Sequence, residues 1–172
     1  MRKVSVLRVE PVLREAEAAD AEQIARIYNY YVENTVITFE EAPVSASEIS
    51  QRMAAIQSQG LPWLAAELDG QVAGYSHASP WKARSAYRYS VEATIYLRQG
   101  MQGRGLGKAL YSALFPRLRE RGVHAVIGGA ALPNPASVSL HESLGFDPVG
   151  TFKEVGFKHG RWVDVAYWQK VL

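Results

Sequence analysis

A glycine-rich stretch is the first part of this sequence whose residue types and spacing could bind a ligand. It runs from Gln102 to Lys108 and contains Gly103, Gly105 and Gly107. Glycine lets the backbone turn tightly and lets a ligand approach the main-chain amides. Because an apolar run precedes the stretch and a helical pattern follows it, its amides would lie at a helix N-terminus, where unpaired N–H groups and the helix dipole attract anions. The pattern predicts a site for a pyrophosphate.

Two common phosphate-binding motifs do not fit this stretch. A Walker loop aligned on the Gly-Lys pair at 107–108 would need glycine and serine or threonine where the sequence has Gln102 and Ala109. A dinucleotide-binding fingerprint also fails, because Lys108 and Leu110 occupy positions that require a small residue. The pattern that remains is Gln-x-x-Gly-x-Gly.

Two titratable side chains are candidates for proton transfer. Glu92 interrupts an otherwise apolar strand pattern, Val91 to Leu97. An acidic side chain at such a position either faces solvent or has a function inside the protein. His141 lies between Leu140 and Leu144 in a short helical pattern. A lone histidine in such a place is commonly a packed or surface residue, although its ordinary pKa near neutrality suits proton transfer. From the residues alone, both interpretations remain open for each side chain.

A third candidate is the segment Trp81 to Tyr89, in which Lys82, Arg84 and Arg88 stand among aromatic residues. Basic and aromatic residues together can bind nucleic acid, but three charges without an extended basic stripe are few for that function. A guanidinium also forms a two-point bond to a carboxylate or phosphinate oxygen pair. The segment therefore favours a local anion site, and we interpret Arg88 as a solvated charge.

Composition bounds the class of protein. The chain has 172 residues, of which 48% are hydrophobic and 21% are charged, values typical of a single globular domain. The 19 basic and 17 acidic residues give a net charge of +2, too balanced for a general nucleic-acid or membrane binder. The absence of cysteine excludes a disulfide scaffold, a zinc-thiolate site and a cysteine nucleophile.

Location and metal binding can also be addressed from the sequence. No apolar run approaches the roughly 18 residues of a membrane span. Residues 1–10 form a mildly basic N-terminal extension without the apolar core of a signal peptide, so we expect a cytoplasmic protein. Besides His141 the chain has His77, His124 and His159, and no pair has metal-ligand helical spacing. We therefore predict no metal site.

Hydrophobic periodicity and turn residues predict a layered α/β (α+β) fold around one sheet. The first half is predicted to contain a strand at Val12–Glu15, a helix capped by Asp20, an extended segment at Thr35–Phe39, a helix from a capping box at Ser45 to Gly60, and a hairpin around Asp69-Gly70. The second half is predicted to contain a strand at Tyr87–Leu97, a helix ending at Gly122 with a kink or early break at Pro116, a strand at Val123–Ile127, a short helix capped by Asn134-Pro135 and ended by Gly145, and strands near Pro148–Glu154 and Trp162–Gln169.

These motifs resemble the GNAT superfamily of N-acetyltransferases. Gln-x-x-Gly-x-Gly between a strand and a helix is similar to its acetyl-CoA loop, and Asn134-Pro135-Ala136-Ser137 followed by Leu144-Gly145-Phe146 is similar to its later helix motif. Further stretches resemble the phosphinothricin N-acetyltransferases, and arsinothricin N-acetyltransferases equally: Ile27-Tyr28-Asn29, Trp81 to Tyr87, Ser90 to Tyr96, Leu132-Pro133-Asn134, Leu140-His141-Glu142 and Lys158 to Trp162. The resemblance runs from about Val12 to Gln169. It implies a single domain, 1–172, with a central, mostly antiparallel mixed sheet that is splayed at the acetyl-CoA site and flanked by about four helices.

The resemblance also implies a role for each candidate residue. Glu92 corresponds to the general base, and His141 to a second base, although many members of the superfamily have a tyrosine there as the acid to the departing thiolate. A backbone N–H near Tyr96 or Leu97 would meet the oxyanion. Phe39 would wall the substrate pocket, which Thr94 and Tyr96 line, and Lys82, Arg84 and Tyr87 would bind the acidic groups of the substrate. Acetyl-CoA contacts are implied for Ile95, Tyr96, Leu97, Gln102, Gly103, Arg104, Gly105, Leu106, Gly107, Lys108, Asn134 and Ser137.

The implied reaction moves an acetyl group from acetyl-CoA to the α-amine of a glutamate-like amino acid such as phosphinothricin, arsinothricin or methionine sulfoximine, conferring resistance to such toxins. Attack is direct, since no cysteine is available for a covalent thiol route. The resemblance further implies a homodimer that needs no metal. Two alternatives remain: acetylation of a peptide N-terminus or polyamine, for which Glu33, Glu40 and Glu41 are the only acidic candidates, and a CoA-binding sensor without catalysis.

Overall fold

Seven strands of residues 10–172, the part of the chain that the computed structural model describes, form one sheet in the order β1-β2-β3-β4-β5-β7-β6. The predicted N-terminal extension lies outside these residues apart from Glu10. The elements are β1 Val12–Glu15, α1 Ala21–Asn34, α2 Ala46–Ser58, β2 Trp63–Leu68, β3 Gln71–Pro80, β4 Ser90–Leu97, α3 Leu106–Glu120, β5 Ala125–Ala131, α4 Pro135–Ser143, β6 Asp147–Lys158 and β7 Arg161–Val171, with short 3₁₀ turns at Ala18–Asp20 and Ser85–Tyr87.

The sheet opens between β4 and β5, which form its parallel pair among otherwise antiparallel neighbours. The two strands pair only from Ser90, opposite Ala125, to Glu92, opposite Ile127. Beyond that point β4 continues to Leu97 and β5 to Ala131 without pairing. The predicted fold class, a mixed and mostly antiparallel sheet splayed at one place, is confirmed.

Helices cover both faces of the sheet. On one face α3 buries Leu110, Leu114 and Leu118 completely, and each buried leucine contributes about 1.5–3 kcal/mol relative to an exposed one. On the other face α1 and α2 bury Ile24 and Met53. Successive side chains of a strand point to opposite faces. In β4 the odd positions 91–95 pack in the α3 core, so Glu92, Thr94 and Tyr96 project toward α1 and α2.

Two predicted extended segments are not strands over their full length. Thr35–Phe39 pairs with no strand among residues 10–172 and bends at residues 36–38, because its polar groups bond to α1: the Thr35 hydroxyl donates to the carbonyl of Tyr31 at 2.7 Å. The long strand predicted from Tyr87 begins only at Ser90, since Ser85–Tyr87 forms a 3₁₀ turn.

Two helix predictions hold only in part. Asp20 occupies the N-cap position of α1 as predicted, but its side chain makes no capping hydrogen bond to the helix. Its carboxylate accepts from the N–H of Glu17 at 2.8 Å and from Arg14 at 2.7 and 2.8 Å, so it closes the preceding 3₁₀ turn. Pro116 does not break α3, which runs on to Glu120. The complete burial of leucines on both sides of Pro116 outweighs the roughly 3 kcal/mol that an internal proline costs.

Candidate active site

A cavity of about 1000 Å³ lies where β4 and β5 diverge, between the start of α3, α4 and the bends that follow α1. Most of the side chains singled out from the sequence meet there. Those that line the cavity are Phe39, Glu92, Thr94, Ile95, Tyr96, Leu97, Gln102, Gly103, Gly105, Gly107, Lys108, Asn134, Ser137 and His141.

Five of the predicted site residues do not line this cavity. Leu106 is buried in the α3 core, so only its main chain is available to a ligand at the helix start. Arg104 is exposed on the glycine-rich loop. Lys82, Arg84 and Tyr87 lie in the exposed segment 81–89, outside the cavity.

The glycine-rich loop has the backbone that an anion site needs. Gly103 and Gly105 have φ angles of +74° and +81°, which residues with a Cβ rarely adopt. Gly105 is also the N-cap of α3, and the N–H of Ala109 bonds back to its carbonyl at 3.0 Å as the first bond of the helix. The amides that precede Ala109 in the first turn therefore have no partner within α3.

Gln102 and Tyr31 brace this loop from within. The Gln102 side chain donates to the Tyr31 hydroxyl at 3.0 Å and accepts from the N–H of Gly100 at 3.0 Å. The same hydroxyl donates to the carbonyl of Leu97 at 2.6 Å. Gln102 thus ties the loop to α1 and to the end of β4. Gln102 was predicted from the sequence as a site residue, whereas Tyr31 was not.

The edge of β4 that faces the gap presents main-chain N–H groups that have no partner within residues 10–172. The N–H of Arg98 donates to the carbonyl of Ala73 in β3 at 2.8 Å. Since bonding alternates along an antiparallel ladder, the N–H of Tyr96 also faces β3, whereas the N–H groups of Ile95 and Leu97 face the gap. Of the two amides predicted to meet an oxyanion, only that of Leu97 is directed into the cavity.

Glu92 occupies the last paired position of β4, at the point of the splay. Its carboxylate is half-buried and takes part in no hydrogen bond or ion pair among residues 10–172. Burial raises its pKa above the ordinary glutamate value, and the charge of Lys82 partly offsets this. A carboxylate that is costly to keep charged and has no fixed partner is suited to accept a proton.

The surroundings of Glu92 connect it to the exposed segment 81–89. A side chain at Gly129 would lie 3.0 Å from the Tyr167 ring and 3.5 Å from a Glu92 carboxylate oxygen, so this glycine makes room for both. The Tyr167 ring packs edge-on against Trp81, with centroids 5.8 Å apart, and the ammonium of Lys82 lies 4.7 Å from the Trp81 ring centre. Lys82 is therefore close enough to act on Glu92 through its charge.

His141 is almost fully buried, with 2% of its surface exposed. Its ring stacks on Trp168 at 5.3 Å and meets Phe146 edge-on at 5.0 Å. Nδ1 lies 2.7 Å from the carbonyl of Ser137 and donates to it, since a carbonyl only accepts. Nε2 has no hydrogen-bond partner within residues 10–172 and lies against Gly128, where a Cβ would come within 2.2 Å of it.

This arrangement favours the neutral imidazole of His141. Burial lowers its pKa below the ordinary value, although the bond to the Ser137 carbonyl opposes the shift. In the neutral tautomer with Nδ1–H committed to that carbonyl, Nε2 carries the lone pair. Such a ring has no free N–H to donate and offers only Nε2, as an acceptor, which bears on the two roles left open from the sequence.

Asn134 and Tyr111 make two further hydrogen bonds in the cavity. Asn134 caps α4 as predicted, its side-chain oxygen accepting from the N–H of Ser137 at 3.1 Å. The Tyr111 hydroxyl donates to the carbonyl of Ala93 at 3.3 Å. Tyr111 was not among the residues singled out from the sequence. Other lining residues that were not predicted include Tyr30, Thr35, Ile37, Thr38, Gly129 and Tyr167.

A second cavity of about 410 Å³ adjoins the first, sharing Thr94 and Tyr96. It lies between α2 and the sheet, and Arg52 is its charged side chain. That guanidinium bonds to Glu40 at 2.6 and 3.1 Å and also to Glu48. The arginine is thus already neutralised by carboxylates.

Comparison with known proteins identifies the family. The model of the acetyltransferase (GNAT) domain matches residues 13–167, and the chain belongs to this family of acyltransferases. It is 40% identical over 158 residues to the phosphinothricin N-acetyltransferase of Streptomyces viridochromogenes, covering 92% of this chain and 86% of that protein.

Two further relatives refine the comparison. The L-methionine sulfoximine/L-methionine sulfone acetyltransferase of Salmonella typhimurium is 36% identical, with 93% of this chain and 94% of that protein covered. The crystal structure of a phosphinothricin acetyltransferase from Sinorhizobium meliloti in complex with acetyl-CoA superposes with a TM-score of 0.91 at 42% identity, covering 95% of this chain and 89% of that one. The resemblance to phosphinothricin-type N-acetyltransferases is confirmed.

Across residues 10–172, no three or more metal-ligating side chains are grouped as a metal ion would require. Within the same residues, no helix combines the length and apolar character that a membrane span requires.

Proposed function

We propose that this protein acetylates the α-amine of a small, glutamate-like amino acid, with acetyl-CoA as co-substrate. The observation that carries the proposal is the position of Glu92, an unpaired, half-buried carboxylate at the splay point of a sheet whose gap also holds the anion-binding loop. A base and a pyrophosphate site opening into one cavity are the two parts that amine acetylation needs. The acetyl-CoA complex of the Sinorhizobium meliloti relative supports the choice of co-substrate.

The residues that would hold acetyl-CoA follow from the geometry of the gap. The free amides of the first turn of α3, with Gly103, Gly105 and Lys108, suit the pyrophosphate. The main-chain groups of Ile95 suit an amide group of the pantetheine arm, which they would pair as a further strand would, and this leaves the N–H of Leu97 for the thioester carbonyl. A cavity of about 1000 Å³ is large enough for the arm and a small acceptor together.

Glu92 is the proposed general base. The α-ammonium of an amino acid has an ordinary pKa near 8 and must lose a proton before its nitrogen can attack. Glu92 takes that proton, directly or through one water. The nitrogen lone pair then forms a bond to the acetyl carbon while the carbonyl oxygen becomes negative, and the N–H of Leu97 stabilises this oxyanion.

Collapse of the tetrahedral species breaks the carbon–sulfur bond and releases CoA as a thiolate, which takes up a proton from solvent. The nitrogen loses its remaining extra proton to a base of the site. His141 is the proposed second acceptor, because its Nδ1–H is committed to the Ser137 carbonyl and its Nε2 is free. The same geometry argues against His141 as the acid to the thiolate.

The acceptor class is proposed from charge and from the relatives. Lys82 places a positive charge near Glu92. Arg84 and Tyr87 lie in the same exposed segment, outside the cavity. A distal acidic group of the acceptor would lie against them. Thr94 and Tyr96 line the inner wall. The phosphinothricin and methionine sulfoximine acetyltransferases among the relatives act on acceptors of this kind.

A cationic acceptor is the weaker alternative. Of the three acidic candidates for a polyamine or peptide site, Glu40 is paired with Arg52 at 2.6 Å. A carboxylate that is already paired attracts a second cation weakly. A CoA-binding sensor is also weaker, because a sensor has no use for an unpaired carboxylate of raised pKa at the splay.

We also propose that the protein is a homodimer. The hairpin of β6 and β7 exposes several large apolar side chains, each 55–64% accessible: Val149, Phe152, Val155, Phe157 and Trp162. Clusters of exposed apolar side chains are typical of interaction surfaces. Sedimentation equilibrium should give a dimer for the natural chain and a shift toward monomer for Trp162→Ser, whereas a monomeric natural chain would refute the proposal.

The proposed reaction is tested by thiol release from acetyl-CoA with a panel of acceptors: phosphinothricin, arsinothricin, methionine sulfoximine, methionine sulfone, glutamate, spermidine and a short peptide. Turnover confined to the glutamate-like compounds is expected, and their ranking would name the preferred acceptor. Turnover with spermidine or the peptide alone would replace the proposed acceptor class. Binding of acetyl-CoA without any turnover would favour the sensor.

A further inference from the structure

Lys158, near the end of β6, is buried to 1% exposure, which is rare for a lysine. Its ammonium donates to two main-chain carbonyls, that of Val32 at 2.7 Å and that of Thr38 at 2.8 Å. It takes part in no ion pair among residues 10–172. A buried ammonium whose hydrogen-bond partners are carbonyls of a distant segment serves to hold that segment in place.

The two carbonyls belong to the part of the chain that walls the cavity. Val32 lies in the last turn of α1, where carbonyls lack a partner within the helix and a cation is favourable. Thr38 lies among the bends between α1 and α2, and Thr35, Thr38 and Phe39 all line the main cavity. Lys158 therefore joins β6 to one wall of the site.

A second residue of β6, Gly156, contacts Phe39, which follows Thr38 in that wall. Gly156 lies two residues before Lys158, on the same face of β6, and both are buried. A Cβ at Gly156 would lie 2.2 Å from the tip of the Phe39 ring. The ring thus occupies the space that the missing side chain leaves, although Phe39 remains 41% exposed toward the cavity side.

We propose that Gly156 and Lys158 are positioning residues that set the acceptor pocket by fixing the bends 35–39 and the ring of Phe39. The inference deepens the proposed function and rests on it. The contacts of Gly156 and Lys158 with this wall are to Val32, Thr38 and Phe39 and include no residue of the glycine-rich loop, so we expect their main influence on the acceptor side of the cavity. Substitutions of Gly156 and Lys158 should therefore change the KM for the amino acid but not the KM for acetyl-CoA.

The strand offers a matched control for each residue. Gly150 also lies on β6, has no positive φ angle, and has nothing within 4 Å of the position of a Cβ. Lys153 lies on β6 as well, but its side chain is 78% exposed and paired with Asp164 at 3.1 Å. Comparing Gly156→Ala with Gly150→Ala, and Lys158→Met with Lys153→Met, separates the contact to the wall from any general effect on the strand.

The kinetic experiment measures both Michaelis constants for these four variants. Gly156→Ala and Lys158→Met should raise the KM for the amino acid by about tenfold or more, because displacement of a positioning group by about 1 Å can cost a hundredfold. The KM for acetyl-CoA should stay within about twofold, and both control variants should match the natural protein. Equal effects on both constants, or equal effects of Gly156→Ala and Gly150→Ala, would overturn the proposal.

A double-mutant cycle tests whether Gly156 acts through Phe39. In a Phe39→Ala background the added methyl group of Gly156→Ala meets no ring, so its effect on KM should disappear. An unchanged effect would show that Gly156 acts by another route. This arm needs no Lys158 variant, so it decides the proposal even if Lys158→Met, which leaves two buried carbonyls unpaired, does not fold.

Hydrogen exchange separates failure of this inference from failure of the proposed function. Amides of residues 35–41 should exchange faster in Lys158→Met than in Lys153→Met, whatever the substrate is. Unchanged exchange there would overturn the inference even if the acetylation assay succeeds. Faster exchange in a protein that acetylates no amino acid of the panel would retain the role of Lys158 in holding the wall and reject the proposed acceptor.

Discussion

The two halves of the cavity are built in different ways. On the acetyl-CoA side, β4, the glycine-rich loop and the first turn of α3 follow one another within residues 90–108. On the proposed acceptor side, the bends 35–39 line the cavity, the end of β6 holds these bends from behind, and the exposed segment 81–89 lies outside the cavity. In the proposed function, acetyl-CoA would therefore meet a continuous piece of backbone, whereas the amino acid would meet side chains that only the complete fold brings together.

Glu92 lies between the two halves, and its loss should have the largest effect. Glu92→Gln keeps the shape of the side chain but removes the proton acceptor, so kcat should fall by about a hundredfold or more. The KM for acetyl-CoA should change little. Thiol release measures both constants. Glu120→Gln, at the exposed end of α3, serves as the control, and full activity of Glu92→Gln at neutral pH would remove Glu92 from the mechanism.

Stability supplies a further check on the same variant. The folded protein raises the pKa of Glu92 by burial, so folding favours its protonated form. Above that pKa the buried charge destabilises the fold, and below the ordinary glutamate pKa the folded and unfolded proteins are equally protonated. Glu92→Gln should therefore increase the free energy of unfolding at neutral pH, and this gain should vanish at low pH. Urea denaturation at both pH values measures it.

The acetyl-CoA half should be sensitive to backbone conformation. Gly105→Ala forces a residue with a Cβ into a φ of +81°, which costs about 1–2 kcal/mol. Gly122→Ala, at the other end of α3, imposes the same strain at φ +75°, and neither position has an atom within 4 Å of the new Cβ. Both should lower Tm similarly, but only Gly105→Ala should raise the KM for acetyl-CoA, by about tenfold, the value of one hydrogen bond to a charged group. An equal KM for the two variants would contradict the role of the loop.

The same contrast explains what could be predicted from the sequence. The glycine-rich loop, the hairpin at Asp69-Gly70 and the Asn134 cap were predicted correctly, because each depends on neighbours within a few residues. The mixed sheet followed from the order of such elements. The position of Glu92 at the splay point required the pairing of β4 with β5, which sequence periodicity does not contain.

The errors lie where distant contacts decide the local structure. Thr35–Phe39 has the composition of an extended segment. The ammonium of Lys158, more than a hundred residues later, donates a hydrogen bond to the carbonyl of Thr38. Asp20 lies at the N-cap position of α1, but its carboxylate accepts hydrogen bonds from Arg14 and makes none to the helix. Tyr31 belongs to the site through a loop that begins about seventy residues away. Patterns of neighbouring residues cannot predict partners such as Lys158 and Gln102, which are distant in the sequence.

On the acceptor side, Arg84→Ala should raise the KM for the amino acid by about fivefold and leave the KM for acetyl-CoA unchanged. The expected effect is moderate because Arg84 is exposed, and exposed ion pairs contribute about 0.2–1 kcal/mol. Arg88→Ala is the matched control, since Arg88 stacks on Tyr89 with its guanidinium 4.5 Å from the ring centre. Equal constants for the two variants would exclude Arg84 from the acceptor site.

Lys82 should have the smallest effect, and it acts on pH dependence more than on rate. Its positive charge lowers the pKa of Glu92, opposing the larger effect of burial. Removing that charge in Lys82→Met should raise the pKa further, so the acidic limb of the profile of kcat/KM should move to higher pH while the plateau rate changes little, because the base must be deprotonated to act. The profile is measured at saturating acetyl-CoA, with Lys153→Met as the control. A limb that stays in place would mean that Lys82 does not influence Glu92, and that the two halves of the cavity are electrostatically independent.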